Sequence, residues 1–83
     1  MEILKGTVRD MDNGTPLEDV IVWIKDKGSD FKTKTKNGIY KFHIEGNQGD
    51  KINIDFDKDG YTLCDDNDKI QRLGEERDVL LCK

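Results

Sequence analysis

At 83 residues, with a formal net charge of −4 and 39% charged side chains, the chain is sized for a single domain (1–83) around one compact core. That balance gives no general attraction for nucleic acid or an anionic membrane surface. No apolar run approaches the ~20 residues that span a bilayer, and the opening MEILKGTVRD lacks the long apolar core of a secretion signal. Membrane insertion and export are therefore not expected of the chain as written, although a module cut from a longer exported protein would read the same way.

The chain has no alanine, and β-branched Val, Ile and Thr far outnumber Leu, a composition suited to pleated, half-buried surfaces. Residues 3–10, ILKGTVRD, set Leu4, Gly6 and Val8 on one parity and Lys5, Thr7 and Arg9 on the other, which predicts a strand with one wet face. MDNGTPL collects Asn13, Gly14 and Pro16 and reads as a turn. The run 19–26, DVIVWIKD, is the most apolar in the chain and fits a central strand covered on both faces, or one whose outer face meets something else.

Between 30 and 45, Asn37-Gly38 separates two alternating segments, the signature of a two-residue type I′ hairpin. That register pairs Thr35 with Tyr40, Thr33 with Phe42 and Phe31 with Ile44 on an inner face, leaving Lys32, Lys34, Lys36, Lys41 and His43 outside. It also sets Lys34 opposite Lys41. After the turn GNQGD, the segment KINIDFD alternates as a strand, KIQRLGEE is open between a short strand and a helical turn, and RDVLLCK reads as a final strand. Six or seven short strands punctuated by turns mean an all-β sandwich or small barrel.

The acidity is local: Asp55, Asp57, Asp59, Asp65, Asp66 and Asp68 crowd one segment against Lys58 alone. Within it, DFDKDGYTLCDD places Asp55, Asp57, Asp59, Gly60 and Asp66 at the first, third, fifth, sixth and twelfth positions of a calcium loop. The flanks argue against an EF-hand, because KINIDF is a strand where a helix belongs, Thr62 replaces an apolar residue, and Asp66 is shorter than the usual bidentate Glu. An acidic solvated loop is the reading preferred. A weak calcium or carbohydrate site at 55–66 is the alternative function.

Cys64 and Cys82 are too few for a disulfide framework and carry no metal-ligand spacing, so two free or buried thiols are expected, although both lie near the ends of the last two regular segments and a bond at the ~5.5 Å Cα separation of a disulfide is left open. The one histidine, His43, falls among lysines with no nucleophile in reach, which gives a triad or Cys-His pair nothing to build on. If Val20, Val22 and Ile24 face the core, Ile21 and Trp23 face away, and Leu80 and Cys82 do the same on the last strand. These side chains predict either one apolar docking surface or a patch covered by the 65–76 loop.

Taken in order, Gly6, Val8 and Asp10, then Asn13 to Leu17, then Val20, Val22 and Ile24, then Thr35, Asn37, Gly38, Tyr40 and Phe42, an Ile52-x-Ile54 strand, Gly60-Tyr61 and terminal Val79-x-Leu81 resemble the carboxypeptidase regulatory-like domain. The resemblance covers nearly the whole chain and implies a seven-stranded, transthyretin-like Greek-key β-sandwich. It further implies a non-catalytic module, of the kind found beside carboxypeptidases or at the N-termini of bacterial outer-membrane receptors, and hence an extracytoplasmic setting if the chain is part of a longer protein. Related adhesin domains form a Lys-to-Asn isopeptide bond across the core, but Lys5 and Asp78 fall on outward parities here. The expected function is a non-enzymatic binding module, docking a protein partner or self-associating through Ile21, Trp23 and Leu80, with no cofactor beyond the calcium alternative.

Overall fold

A computed structural model describes residues 2–25 and 31–83; Asp26 and Asp30, which end the expected second strand and begin the expected hairpin, lie outside them. The strands are β1 (Glu2–Asp10), β2 (Ile21–Ile24), β3 (Lys32–Lys34), β4 (Ile39–Ile44), β5 (Lys51–Asp57), β6 (Thr62–Leu63), β7 (Ile70–Arg72) and β8 (Glu76–Cys82), with a 3₁₀ turn at Asp66–Lys69. They form a sandwich of two four-stranded sheets, ordered β4-β1-β8-β6 and β3-β2-β5-β7. The count among the described residues is eight strands instead of seven, because Thr62 and Leu63, inside the acidic segment, pair with Cys82 and Leu81.

The alternation read from the sequence sets the core. Leu4 and Val8 of β1, Val22 and Ile24 of β2, Tyr40, Phe42 and Ile44 of β4, Ile52 and Ile54 of β5, and Val79 and Leu81 of β8 all point between the sheets and are buried, joined by Val20 and Leu73 from the flanking segments. The longer strands bury alternate side chains because the pleat puts successive residues on opposite faces. Phe56 closes one side, its ring edge-on to Tyr40 at 5.6 Å between centroids.

The Asn37-Gly38 turn forms, with positive φ at both residues and a bridge from Lys36 to Ile39, but it does not zip into a hairpin. Its arms are captured by different sheets: Thr35 N–H donates to the Val20 carbonyl, while Tyr40 pairs with Gly6 across β1. The expected pairs Thr35–Tyr40, Thr33–Phe42 and Phe31–Ile44 are therefore not made. Strand parity survives this change, since Tyr40, Phe42 and Ile44 still face inward from β4 and Thr33 is half-buried on β3. The close lysine pair is Lys5 with Lys41, on β1 and β4; Lys34 pairs with Ile21 instead.

The ambiguous stretch after the acidic segment is both of the forms considered. A 3₁₀ turn capped by Asp65, whose carboxylate accepts from Asn67 N–H at 2.9 Å, runs into β7, which pairs with β5. Strands β1 and β8 lie parallel at the centre of the first sheet.

Candidate functional site

The expected docking surface divides between the two sheets. Ile21 and Trp23 project from the outer face of β2, while Leu80 and Cys82 project from the outer face of β8, across the sandwich. Four apolar side chains on one face do not exist in this fold. The alternative, a cover from 65–76, is not formed either: that segment supplies β7, which extends the sheet beyond β5 and so is separated from β2 by a strand.

Around Ile21 and Trp23 the register builds an ordered face. Ile21 lies between Lys34 of β3 and Asp57 of β5, and Trp23 lies between Lys32 and Asp55. Three parallel rows result, basic on β3, apolar on β2 and acidic on β5. Lys32 Nζ sits 6.0 Å from the Trp23 ring centroid, a contact worth ~0.5–1 kcal/mol at an exposed site. Ile21 and Trp23 are each half-buried. Asp55 is held by Lys25 at 3.3 Å.

The calcium-loop carboxylates are dispersed. Asp55 and Asp57 follow one another along the outer face of β5, Asp59 lies in the exposed turn at Gly60, where Tyr61 N–H donates to the Lys58 carbonyl, and Asp66 sits on the 3₁₀ turn 3.9 Å from Lys69. Among the described residues no group of three or more His, Cys, Asp or Glu is arranged to hold a metal ion. The remaining aspartates of the segment have structural partners: Asp65 caps the 3₁₀ turn and Asp68 meets Arg77 Nε at 3.2 Å. Burial raises the Asp68 carboxyl above the ordinary value, and Arg77 opposes that rise.

Two clusters stand at the far end of the first sheet, and sequence reasoning identified neither the partners of Asp10 nor the place of Met11 beside the two cysteines. Asp10, buried at the end of β1, accepts from Asp12 N–H through Oδ1 and from the Tyr61 hydroxyl through Oδ2, each at 2.8 Å, with Lys83 Nζ 3.7 Å from Oδ2. The Tyr61 hydrogen bond, then that of Asp12, holds the Asp10 carboxyl below its usual range, and the same bond pushes the Tyr61 phenol up. On the outward side of this end, Cys64 and Cys82 are joined in a disulfide, with Cα atoms 5.3 Å apart. The expectation of two thiols is overturned here: β6 pairs with β8 and brings the cysteines together, a strand too short to be read from its alternation. The thioether of Met11 lies against both sulfurs.

His43 stands exposed on β4, beside Ile3 in the register. Open surface depressions of about 350 Å³ among the described residues include one at Glu2, Lys5, Gln48 and Glu75 and one at Lys25, Asn53, Asp66 and Lys69. Neither contains a paired nucleophile and base. No helix among the described residues is long and apolar enough to cross a membrane. No protein family, curated protein or solved structure matches the chain.

Proposed function

We propose that the chain is a non-enzymatic binding module that self-associates through the outer face of β3-β2-β5-β7. The observation that carries this reading is the set of three rows across the face: Lys32 and Lys34, then Ile21 and Trp23, then Asp55 and Asp57. A two-fold axis lying in the interface, parallel to the strands and over β2, exchanges the outer rows while leaving the middle one in place. Lys34 of one copy then faces Asp57 of the other, Lys32 faces Asp55, and Trp23 meets Trp23. Such a face is self-complementary, which is what a two-fold contact requires.

The magnitude makes the association weak. Four strands ~4.8 Å apart and about four residues long on average present a face of roughly 250 Å², well under the ~800 Å² per partner of a standard stable interface. The finer assignment to a transthyretin-like domain of the carboxypeptidase regulatory-like kind is part of the same proposal. It is supported by the order of the turn and strand motifs, now seen as the turns and inward-facing strands of a sandwich.

Charge exchange tests the geometry. Lys34→Glu and Asp57→Lys should each weaken self-association in sedimentation equilibrium, because each sets like charges against one another across the axis. An equimolar mixture of the two should recover it as a heterodimer: the introduced carboxylate of one copy then faces the introduced ammonium of the other, and the unsubstituted Lys34 and Asp57 face each other at the second contact. Trp23→Ser should weaken association of the unsubstituted rows with the fold retained. Association indifferent to both charge changes, or a mixture that fails to recover, would remove this face from the function.

A further inference from the structure

Met11 and the Cys64–Cys82 pair lie on the sheet that the proposed interface does not use. One step beyond the Asp10–Leu81 pair of the parallel β1–β8 register, Met11 comes beside Cys82, and its N–H donates to the Leu81 carbonyl at 3.0 Å. The backbone from which the thioether extends is thus fixed by the sheet. Its Sδ lies 3.5 Å from Cys64 Sγ and 3.3 Å from Cys82 Sγ. The disulfide sulfurs carry no proton, so these are sulfur-to-sulfur contacts: three sulfurs converge at one end of the sheet, and Met11 is 57% exposed.

We propose that, once the disulfide is reduced, this cluster is a site for a soft monovalent cation, Cu(I), held by the thiolates of Cys64 and Cys82 and the thioether of Met11. Opening the bond takes two electrons and two protons, supplied by a small dithiol that itself closes to a disulfide. Binding of one Cu⁺ releases both thiol protons to solvent and leaves a complex of net charge −1.

The donor set selects the ion. Thiolate and thioether sulfur favour Cu(I), whereas zinc sites are completed by imidazole, carboxylate or further thiolates. The described residues bring no imidazole to this corner, and among them no group of three or more His, Cys, Asp or Glu is arranged to hold a metal ion. His43 pairs with Ile3 near the opposite end of β1, roughly 26 Å away at ~3.3 Å per residue. Both oxygens of Asp10 are already engaged, by Asp12 N–H on one side and by Tyr61 and Lys83 on the other. Arg9, paired with Leu80 on the same outward parity, and Lys83 supply positive charge beside the anionic complex. The cysteine Cα separation of 5.3 Å lets both sulfurs turn toward one ion with the backbone pairing of β6 and β8 unchanged.

The test is anaerobic titration of the full chain, reduced with dithiothreitol and desalted, with Cu(I) against the chromogenic chelator bicinchoninate. Reduced protein should withdraw one Cu(I) per chain with a thiolate-to-copper absorption in the ultraviolet, and the disulfide form should withdraw none. Met11→Leu should weaken the competition by about tenfold or more, one ligand in three being lost, and should reduce the sulfur scatterers in X-ray absorption from three to two. Cys64→Ser with Cys82→Ser should abolish binding. Failure of the reduced chain to compete, unchanged affinity in Met11→Leu, displacement by equimolar Zn²⁺, or a reduced chain that has lost its β circular dichroism and does not regain it with Cu(I) would each overturn the site.

Discussion

The Tyr40 hydroxyl donates to Gln71 Oε1 at 2.6 Å in the middle of the core, both residues being almost fully buried. Gln71 in turn donates through Nε2 to the Asp68 carbonyl at 3.0 Å, so a polar thread joins β4 to β7 and to the 3₁₀ turn through an otherwise apolar interior. Burial pushes the Tyr40 phenol far above its ordinary value, with Gln71 opposing in part; the group stays protonated and serves as a donor. The thread also explains Gly6. A Cβ there would collide with the Tyr40 hydroxyl, its Cζ and the Arg77 carbonyl on β8, so the ring can cross β1 only over a glycine.

Two substitutions on this thread should each destabilise the fold and should interact. Tyr40→Phe leaves Gln71 Oε1 buried without its donor, for about 1–3 kcal/mol. Gly6→Ala forces the strand or the ring to move, and overpacking of this kind costs about 1–3 kcal/mol or more. Urea midpoints of the double variant should show less loss than the sum, because Phe removes one of the atoms that the alanine meets. Strict additivity would mean that Gly6 and Tyr40 do not constrain one another.

Strand identity and inward parity were legible because period-two alternation is local: Leu4-Gly6-Val8 and Val22-Ile24 need no knowledge of their partners. Partnership was not legible. Asn37-Gly38 specifies the turn, but whether the arms pair with each other depends on Val20 and Gly6, which lie far away in sequence and compete for them. The same limit divided Trp23 from Leu80, since parity says which side of a strand a residue takes and nothing of which sheet the strand joins. Two-residue β6 has too few positions to show a period, so nothing in the sequence forced the disulfide that its pairing creates, and the contact to Met11 was hidden. The acidic loop spacing was real as a spacing, yet a strand and a 3₁₀ turn send its carboxylates in different directions.

The Asp10–Tyr61 bond makes stability depend on pH at both ends. Asp10 has its carboxyl lowered from 3.8 in the fold, so its contribution is present above that value and is lost as pH falls through the lower folded value. Tyr61 is raised from 10.0, so its contribution is present below that value and is lost as pH rises through the higher folded value. Urea midpoints should therefore be flat between these limits as far as this pair is concerned. Tyr61→Phe should move the Asp10 carboxyl, followed by carbon-detected NMR, back toward 3.8, and should flatten the acid limb of the stability profile. An Asp10 titration unchanged in that variant would show that the Tyr61 hydroxyl does not set it.

The cross-link joins residues 18 apart in sequence, and closing a loop of that size stabilises by ~3 kcal/mol through the unfolded chain. Protein purified without reductant and alkylated in denaturant should carry no label on Cys64 or Cys82. Cys64→Ser with Cys82→Ser should lower the thermal midpoint while keeping the β spectrum, since the core residues Val79 and Leu81 on the opposite parity are untouched. Labelling of both cysteines in the unreduced protein would contradict the bond.

Thr35 marks the point where the chain leaves one sheet for the other, and its hydroxyl stands in for a missing strand. Oγ1 accepts from Val20 N–H at 3.0 Å and donates to the Leu17 carbonyl at 2.7 Å, and the residue is buried. Its backbone accepts from Asp19 N–H and donates to the Val20 carbonyl, which lets Asp19 hold its positive φ of 56° while β2 begins. Valine has the same shape but satisfies neither backbone group, and Thr35→Val should lose about 2–3 kcal/mol by leaving a buried donor and acceptor unpaired. Serine keeps the hydroxyl and should lose less than valine in spite of the missing methyl. Hydrogen exchange at the Val20 amide reads the effect locally: protection should fall in Thr35→Val and persist in Thr35→Ser. Equal protection in the two variants would show that the methyl group, by packing, holds this crossing together.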